Sequence, residues 1–318
     1  MGFLKRWEEN VKAVWEEAVS RVKAWEGQEI KCVPVRGGKT NWDYKVTVGE
    51  VSAFLKVPGE ETDFIDRDSC YVANRIAKQC GAGPAVLYYF DDTGVLFSEW
   101  LEGYRQLKFG DVYEKEIFEK MICGIRKFHG MEEVLPLLET VFDQTREMVS
   151  RIKGGKYLPP WHDRMLYLMQ KIEEAFAYAE FEVTPCHNDF WTNNIMYNEE
   201  KDDLKIVDYE YASMGDPYYD LAVLSVNNFL TEEMDAWMSK VYHDGKEDPI
   251  GFARLKLNKI AADIKWVYWS LYREKRSELL DYMGWYGPKI ARLQHMWTDP
   301  RVDVWLNLLK GKSPFYKK

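Results

Sequence analysis

The sequence predicts an α+β chain of two lobes, a small antiparallel five-stranded sheet followed by a larger, mainly helical half. Three observations carry this. Between Ile30 and Trp100, short apolar runs alternate with tight turns such as Asp91-Asp92-Thr93-Gly94. From Glu114 onward, apolar residues recur at helical spacing, with Gly154-Gly155 and Pro159-Pro160 as breaks. Between the apolar runs Phe181–Cys186 and Leu204–Val207, each short enough for a buried strand, lies a polar loop beginning His187-Asn188-Asp189. The expected division is an N-terminal amphipathic helix over 1–27, a first lobe over 28–101 and a helical lobe over 102–318.

The N-terminal helix is expected because Trp7, Val11, Val14, Ala18, Val22 and Trp25 follow one another in steps of three and four. Its polar face carries both charge signs, which favours packing on its own domain over a membrane surface, and Gly27 ends it. Ile30–Val35, Tyr44–Val48 and Glu50–Val57 are the first three strands, with a turn over Arg36–Asn41. A helix is expected over 62–80, ended by Gly81-Ala82-Gly83-Pro84. Val86–Phe90 and Val95–Trp100 complete the sheet, and Ser98-Glu99-Trp100-Leu101 forms the hinge to the helical lobe. Helices are expected over Glu114–His129, Thr140–Lys153 and His162–Tyr178.

The 318 residues suffice for two packed lobes, and 46% apolar with 15% aromatic content describes a globular chain. A net charge of −9 argues against nucleic-acid binding. Five cysteines at 32, 70, 80, 123 and 186 show no metal-site spacing and fit a reducing, cytoplasmic setting. No apolar run approaches the ~18 residues of a membrane span.

The chemistry concentrates between residues 183 and 211. Asp189 is followed five residues on by Asn194, and Asp208 ends the next expected strand. This is the spacing of a kinase catalytic loop and its metal-binding aspartate. Phosphoryl transfer needs a carboxylate beside the acceptor hydroxyl, here Asp189. It also needs hard oxygen donors for Mg²⁺, here Asn194 and Asp208. The competing reading, a hydrogen-bonded loop without chemistry, does not account for a second strand with its terminal aspartate at that distance.

The stretches HNDFWTNNIMY and IVDYEYASMGDPYYDLA resemble the choline/ethanolamine kinase family, which is related to the aminoglycoside phosphotransferases. The resemblance covers roughly residues 28–290 and implies a protein-kinase-like fold with ATP between the lobes. Gly37 and Gly38 permit close approach of backbone amides to phosphate, although an ordinary hairpin turn would look the same. The GGxTNxxY pattern resembles the family's nucleotide loop and places Gly38, Thr40 and Asn41 near the triphosphate. Lys56 resembles the strand lysine that grips the phosphates. Glu99 falls in the hinge that holds the base. The family pairs the lysine with a glutamate three residues after an arginine; here Arg67 is followed by Cys70, and Asp68 is the nearest substitute carboxylate.

Trp266 and Trp269 are three apart on a helix and share a face. They resemble the family's WxxW cage for a quaternary ammonium, held by cation–π attraction, and Tyr211 and Tyr286 fall where they would complete it. The family's glutamine beyond the second tryptophan is replaced here, with Tyr272 and Arg273 in that neighbourhood. Asp220 is expected to bond the catalytic-loop backbone or cap a helix, and His187 to brace the loop. The resemblance implies ATP- and Mg²⁺-dependent phosphorylation of a small amino alcohol, choline before ethanolamine. Two alternatives stay open: an aminoglycoside, thiamine or sugar acceptor, and a nucleotide-binding regulatory protein without turnover. The oligomeric state does not follow from the sequence.

Overall fold

Along residues 41–48 burial alternates: Tyr44, Val46 and Val48 are buried and the residues between them only partly so. A period of two is what a half-covered strand requires, and it builds the N-terminal sheet. The computed structural model describes residues 14–35, 40–59, 62–152, 158–179, 181–276 and 283–311. Five strands, β1 (Ile30–Pro34), β2 (Asn41–Val48), β3 (Val51–Pro58), β4 (Val86–Phe90) and β5 (Val95–Glu99), form one sheet in the order β1-β2-β3-β5-β4. Every neighbouring pair is antiparallel. The β2–β3 hairpin turns on two residues between Val48 and Val51, and Gly49 takes the positive φ (57°) that so short a link needs. β2 starts three residues earlier than expected because Asn41, Trp42 and Asp43 continue the ladder opposite Pro58, Val57 and Lys56. In β3, Lys56 breaks the alternation: it is buried although both its neighbours are too, so the opposite face of the sheet is also covered at that point.

What covers the first face is the N-terminal segment. Residues 14–20 are helical and Lys23–Trp25 form a 3₁₀ turn. Ala18, Val19, Val22 and Trp25 are buried in one cluster with Tyr44, Val46, Leu55 and Phe97. The expected continuous helix breaks at Val22, whose backbone is extended (φ −89°, ψ 91°). The part of that expectation before residue 14 lies outside the described residues.

Helix α1 (Arg67–Gln79) starts later than expected because Asp66 caps it, its carboxylate accepting the Ser69 amide at 2.7 Å. The helical lobe contains α2 (Lys115–His129), α3 (Val141–Ile152), α4 (His162–Phe176), α5 (Pro217–Asn227), α6 (Glu232–Tyr242), α7 (Pro249–Arg276), α8 (Met283–Met296) and α9 (Arg301–Leu309). The 28-residue α7 packs against α3, α4, α5, α6, α8 and α9. A helix so surrounded is buried on all sides, and its run from Leu255 to Tyr272 bears this out.

Short strands frame the cleft between the lobes. β6 (Arg105–Gln106), β8 (Ile195–Asn198) and β9 (Asp203–Ile206) form one small sheet; β7 (Thr184–Cys186) and β10 (Ser213–Gly215) form an antiparallel pair. The expected strand over 181–186 is therefore only its last three residues, and Val207 and Asp208 follow their strand instead of ending it. No helix among the described residues is long and apolar enough to cross a membrane.

Trp25 meets Tyr88 and Phe97 edge-on, with ring centroids 5.5 and 5.1 Å away. Trp25→Ala should cost about 3–5 kcal/mol of stability, read from urea unfolding; a loss below about 1 kcal/mol would mean that the N-terminal segment does not hold the sheet.

Candidate active site

The loop after β7 is held from below by one buried carboxylate. Asp220, in the first turn of α5, accepts the backbone N–H of His187 through Oδ2 (2.7 Å) and that of Asn188 through Oδ1 (2.6 Å). A ring nitrogen of His129 on α2 also meets Oδ2, at 2.9 Å. This settles the role of Asp220 as a brace, and the helix cap falls instead to Asp216, which accepts the Tyr218 amide at 3.0 Å. His187 donates from Nε2 to the Val207 carbonyl (2.9 Å) and accepts the Asp189 amide at Nδ1 (3.2 Å). Burial lowers its pKa, so the ring is a neutral spacer. Asn188 takes a positive φ of 63°. Its amide compensates by donating to the Tyr211 carbonyl and the Ser213 hydroxyl, both at 2.8 Å.

This bracing aims Asp189 into the cleft. Its carboxylate Oδ2 accepts the Asn194 amide at 2.9 Å, and so does its carbonyl, at 2.9 Å. The Asn194 nitrogen is thereby committed and its amide oxygen remains the acceptor end. Burial raises the Asp189 pKa; Lys265 opposes this, and Asp208 and Glu210 add to it.

Lys56 reaches across from β3 to form an ion pair with Asp208, which sits at a positive φ of 68°. Burial works against both charges. For Asp208 the lysine outweighs burial and the pKa falls; for Lys56 the carboxylates of Asp208, Asp43 and Glu210 outweigh burial and the pKa rises. Asp43, opposite Lys56 in the β2–β3 register, is pushed up to about 7 by burial, with Lys56 opposing. Its Oδ1 is buried without a hydrogen-bond partner among the described residues. Glu210 is also raised, first by burial and then by Asp208. It accepts the Thr40 hydroxyl at 2.7 Å and the Asn41 amide at 2.6 Å.

The structure brings Thr40, Lys56, Glu99, Asp189, Asn194, Asp208, Tyr211, Trp266 and Trp269 to one cleft of about 410 Å³. Gly38 lies outside the described residues. Asn41 does not line the cleft but ties its edge through Glu210. Two expected placements are corrected. Asp68 does not reach Lys56: it accepts the Tyr89 hydroxyl at 2.9 Å on the outer side of α1. Two residues along a helix are about 200° apart, so when buried Cys70 faces Lys56, Asp68 must face away. Burial raises the Cys70 thiol to about 11, with Lys56 opposing. Tyr286 packs against the helical core, and its neighbour Trp285 lines the cleft. Adjacent helical residues diverge by about 100°. Sequence reasoning missed Asp43 and Glu210. Glu210 stood within the motif already singled out; Asp43 had no signal beyond its place opposite Lys56.

The aromatic wall is tightly assembled. Trp269 donates its indole N–H to the Tyr211 hydroxyl at 2.9 Å. Tyr211 and Trp266 meet edge-to-face at 5.7 Å, and Trp266 and Trp269 at 5.5 Å.

A five-stranded sheet hinged to a helical lobe, with the cleft between them, is the protein-kinase-like fold. A solved structure of a choline/ethanolamine kinase family protein from Mesorhizobium loti superposes with a TM-score of 0.79 at 22% identity, covering 95% of this chain and 99% of that one. Spectinomycin phosphotransferase APH(9)-Ia superposes with a TM-score of 0.58 at 13% identity, over 92% and 97% of the two chains. In sequence, the chain is 22% identical to protein LicA of Haemophilus influenzae over 76% of its own length and 73% of LicA. It is 21% identical to probable choline kinase 2 of Arabidopsis thaliana over 92% and 90%. The profile of the choline/ethanolamine kinase family matches residues 32–247, and the chain belongs to that family of kinase-type phosphotransferases.

The ion pair should be visible energetically. In urea unfolding, Lys56→Met and Asp208→Asn should show a coupling energy of about 1–3 kcal/mol, whereas Asp68→Ala should add to Lys56→Met within about 0.5 kcal/mol. Coupling of Lys56 to Asp68 and not to Asp208 would reverse the assignment.

Proposed function

We propose that the protein transfers the γ-phosphoryl group of ATP to the hydroxyl of a small amino alcohol, choline first and ethanolamine second, in a cytoplasmic setting. The observation that carries this is the convergence of Asp189, Asn194, Asp208 and Lys56 on one cleft whose far wall is Tyr211, Trp266 and Trp269. Lys56 would grip the phosphates. Thr40 would border the triphosphate, with Asn41 behind it on Glu210, and Glu99 the base.

Mg²⁺ fits the donor set. Asn194 and Asp208 offer hard oxygens, and the buried, unpartnered Asp43 Oδ1 and the raised pKa values of Asp43 and Glu210 mark negative charge that Lys56 alone does not balance. A bound Mg²⁺, held by Asn194 and Asp208, would supply charge neutralisation on the phosphates. Asp189 orients the acceptor hydroxyl. As the new bond from alcohol oxygen to γ-phosphorus forms and the bond to the β-bridging oxygen breaks, Asp189 takes the hydroxyl proton and ADP leaves. The aromatic wall suits a cation that cannot donate an N–H hydrogen bond, which is why choline ranks first.

A regulatory nucleotide-binding role without turnover is the second reading. Cys70 supports it, since the lysine lacks a glutamate partner from α1. An ADP-release assay with choline, ethanolamine, thiamine, a sugar and an aminoglycoside separates the readings. No turnover with any acceptor would favour the regulatory one.

Asp189→Asn should lower turnover by at least about 10²-fold while ATP still binds; near-normal turnover would remove Asp189 from its role. Trp269→Ala should raise the choline KM by roughly 10- to 100-fold and leave the ATP KM near its starting value, as expected for a lost cation–π contact of about 2 kcal/mol. An unchanged choline KM would make the aromatic wall mere packing.

A further inference from the structure

The aromatic wall already holds a cation. Lys265 on α7 is fully buried. Its Nζ lies 3.3 Å from the centroid of the Trp266 ring and 4.5 Å from that of Tyr211. It makes no hydrogen bond among the described residues. Both rings line the cleft. A buried ammonium without a hydrogen-bonded partner is costly, and here what faces it is two π faces and, at longer range, the carboxylates of Asp189, Glu139 and Glu210. These groups come from the catalytic loop, the segment before α3 and the stretch after β9. From α8, Lys289 also feels Asp189, and from α7 itself Arg273 feels Tyr211.

A ring quadrupole attracts a cation on its face, but two cations at one corner of two rings repel each other in a medium that screens weakly. An acceptor with a fixed positive charge therefore competes with the chain's own ammonium. We propose that Lys265 sets acceptor specificity: while protonated it holds the cation-attracting corner of Trp266 and Tyr211, and a cationic acceptor head group binds there only when Lys265 gives up its proton. This rests on the amino-alcohol reading for its choice of ligand, not for its geometry.

Burial makes that exchange feasible near neutral pH. Burial lowers its pKa to about 7, against the pull of Asp189, Glu139 and Glu210. The sign follows: the competent, neutral form grows as pH rises. Choline's charge is fixed, so its binding should tighten with pH and release a proton.

The test is calorimetric titration of the full chain with choline, without nucleotide, from about pH 6 to about pH 9, in buffers of different ionisation enthalpy. The wild-type dissociation constant should fall about 10-fold per pH unit on the acid side and then level off, because apparent affinity scales with the competent fraction. About one proton should be released per choline bound at the acid end. Lys265→Met, with Lys265→Gln as a second neutral variant, should bind choline at every pH as tightly as the wild type does at high pH, with no proton release from this site. A flat wild-type profile, or neutral variants that bind choline more weakly or keep the same slope, overturns the assignment. Turnover measured alongside separates it from the acceptor reading. Choline turnover with a flat binding profile sinks the Lys265 assignment alone. Proton-linked choline binding without choline turnover supports Lys265 and sinks choline as acceptor. If neither protein binds choline at any pH, both fall.

Discussion

The cleft depends on the way Asp220 spends its two oxygens. They take the backbone N–H groups of two successive residues, His187 and Asn188, and a ring nitrogen of His129. Three elements that are distant in the chain, α2, the loop after β7 and the start of α5, are joined at one fully buried carboxylate. Buried N–H groups left without an acceptor cost about 1–3 kcal/mol each, so no other loop conformation competes unless it finds equivalent partners. The unusual backbone of Asn188 is tolerable for the same reason, because its side chain is bonded on both sides. Asp189 inherits its direction from these contacts and makes none of them itself.

Electrostatics in the cleft follow from an imbalance. Asp43, Asp208 and Glu210 surround Lys56, and Asp189 and Glu210 face Lys265. Of these four, only Asp208 has a cation in direct contact among the described residues, and only its pKa falls. The others rise because burial is uncompensated. A site in this condition is poised to bind positive charge, and binding would offset the burial and mutual repulsion that raise these pKa values. Cys70 fits the same picture: a thiol held neutral by burial adds no charge beside Lys56, whose direct ion pair is with Asp208.

Much of this was legible in the sequence. The five strands were readable because their apolar runs are bounded by turns, and the sheet forms in that number and orientation. The loop from His187 to Asn194 was readable because its spacing is tied to chemistry. Three kinds of feature were not. Strands of two to four residues, such as β6 and β10, carry too few side chains to show a period. Partner choice among nearby acids escaped because Asp66, Asp68 and Cys70 differ only by helical angle, which sets who faces Lys56. Lys265 escaped because a lysine inside an aromatic stretch is read as a solvated interruption, whereas its stem and head lie wholly inside.

The helix that carries Trp266 and Trp269 spans about 42 Å at 1.5 Å per residue and touches six other helices. Its side chains are therefore shared between the pocket and the general core, and altering them taxes the whole lobe. Trp285, on the shorter and partly exposed α8, borders the same cleft and is only half-buried. For anyone wishing to retarget the pocket toward a differently shaped alcohol, α8 is the adjustable jaw and α7 the anvil.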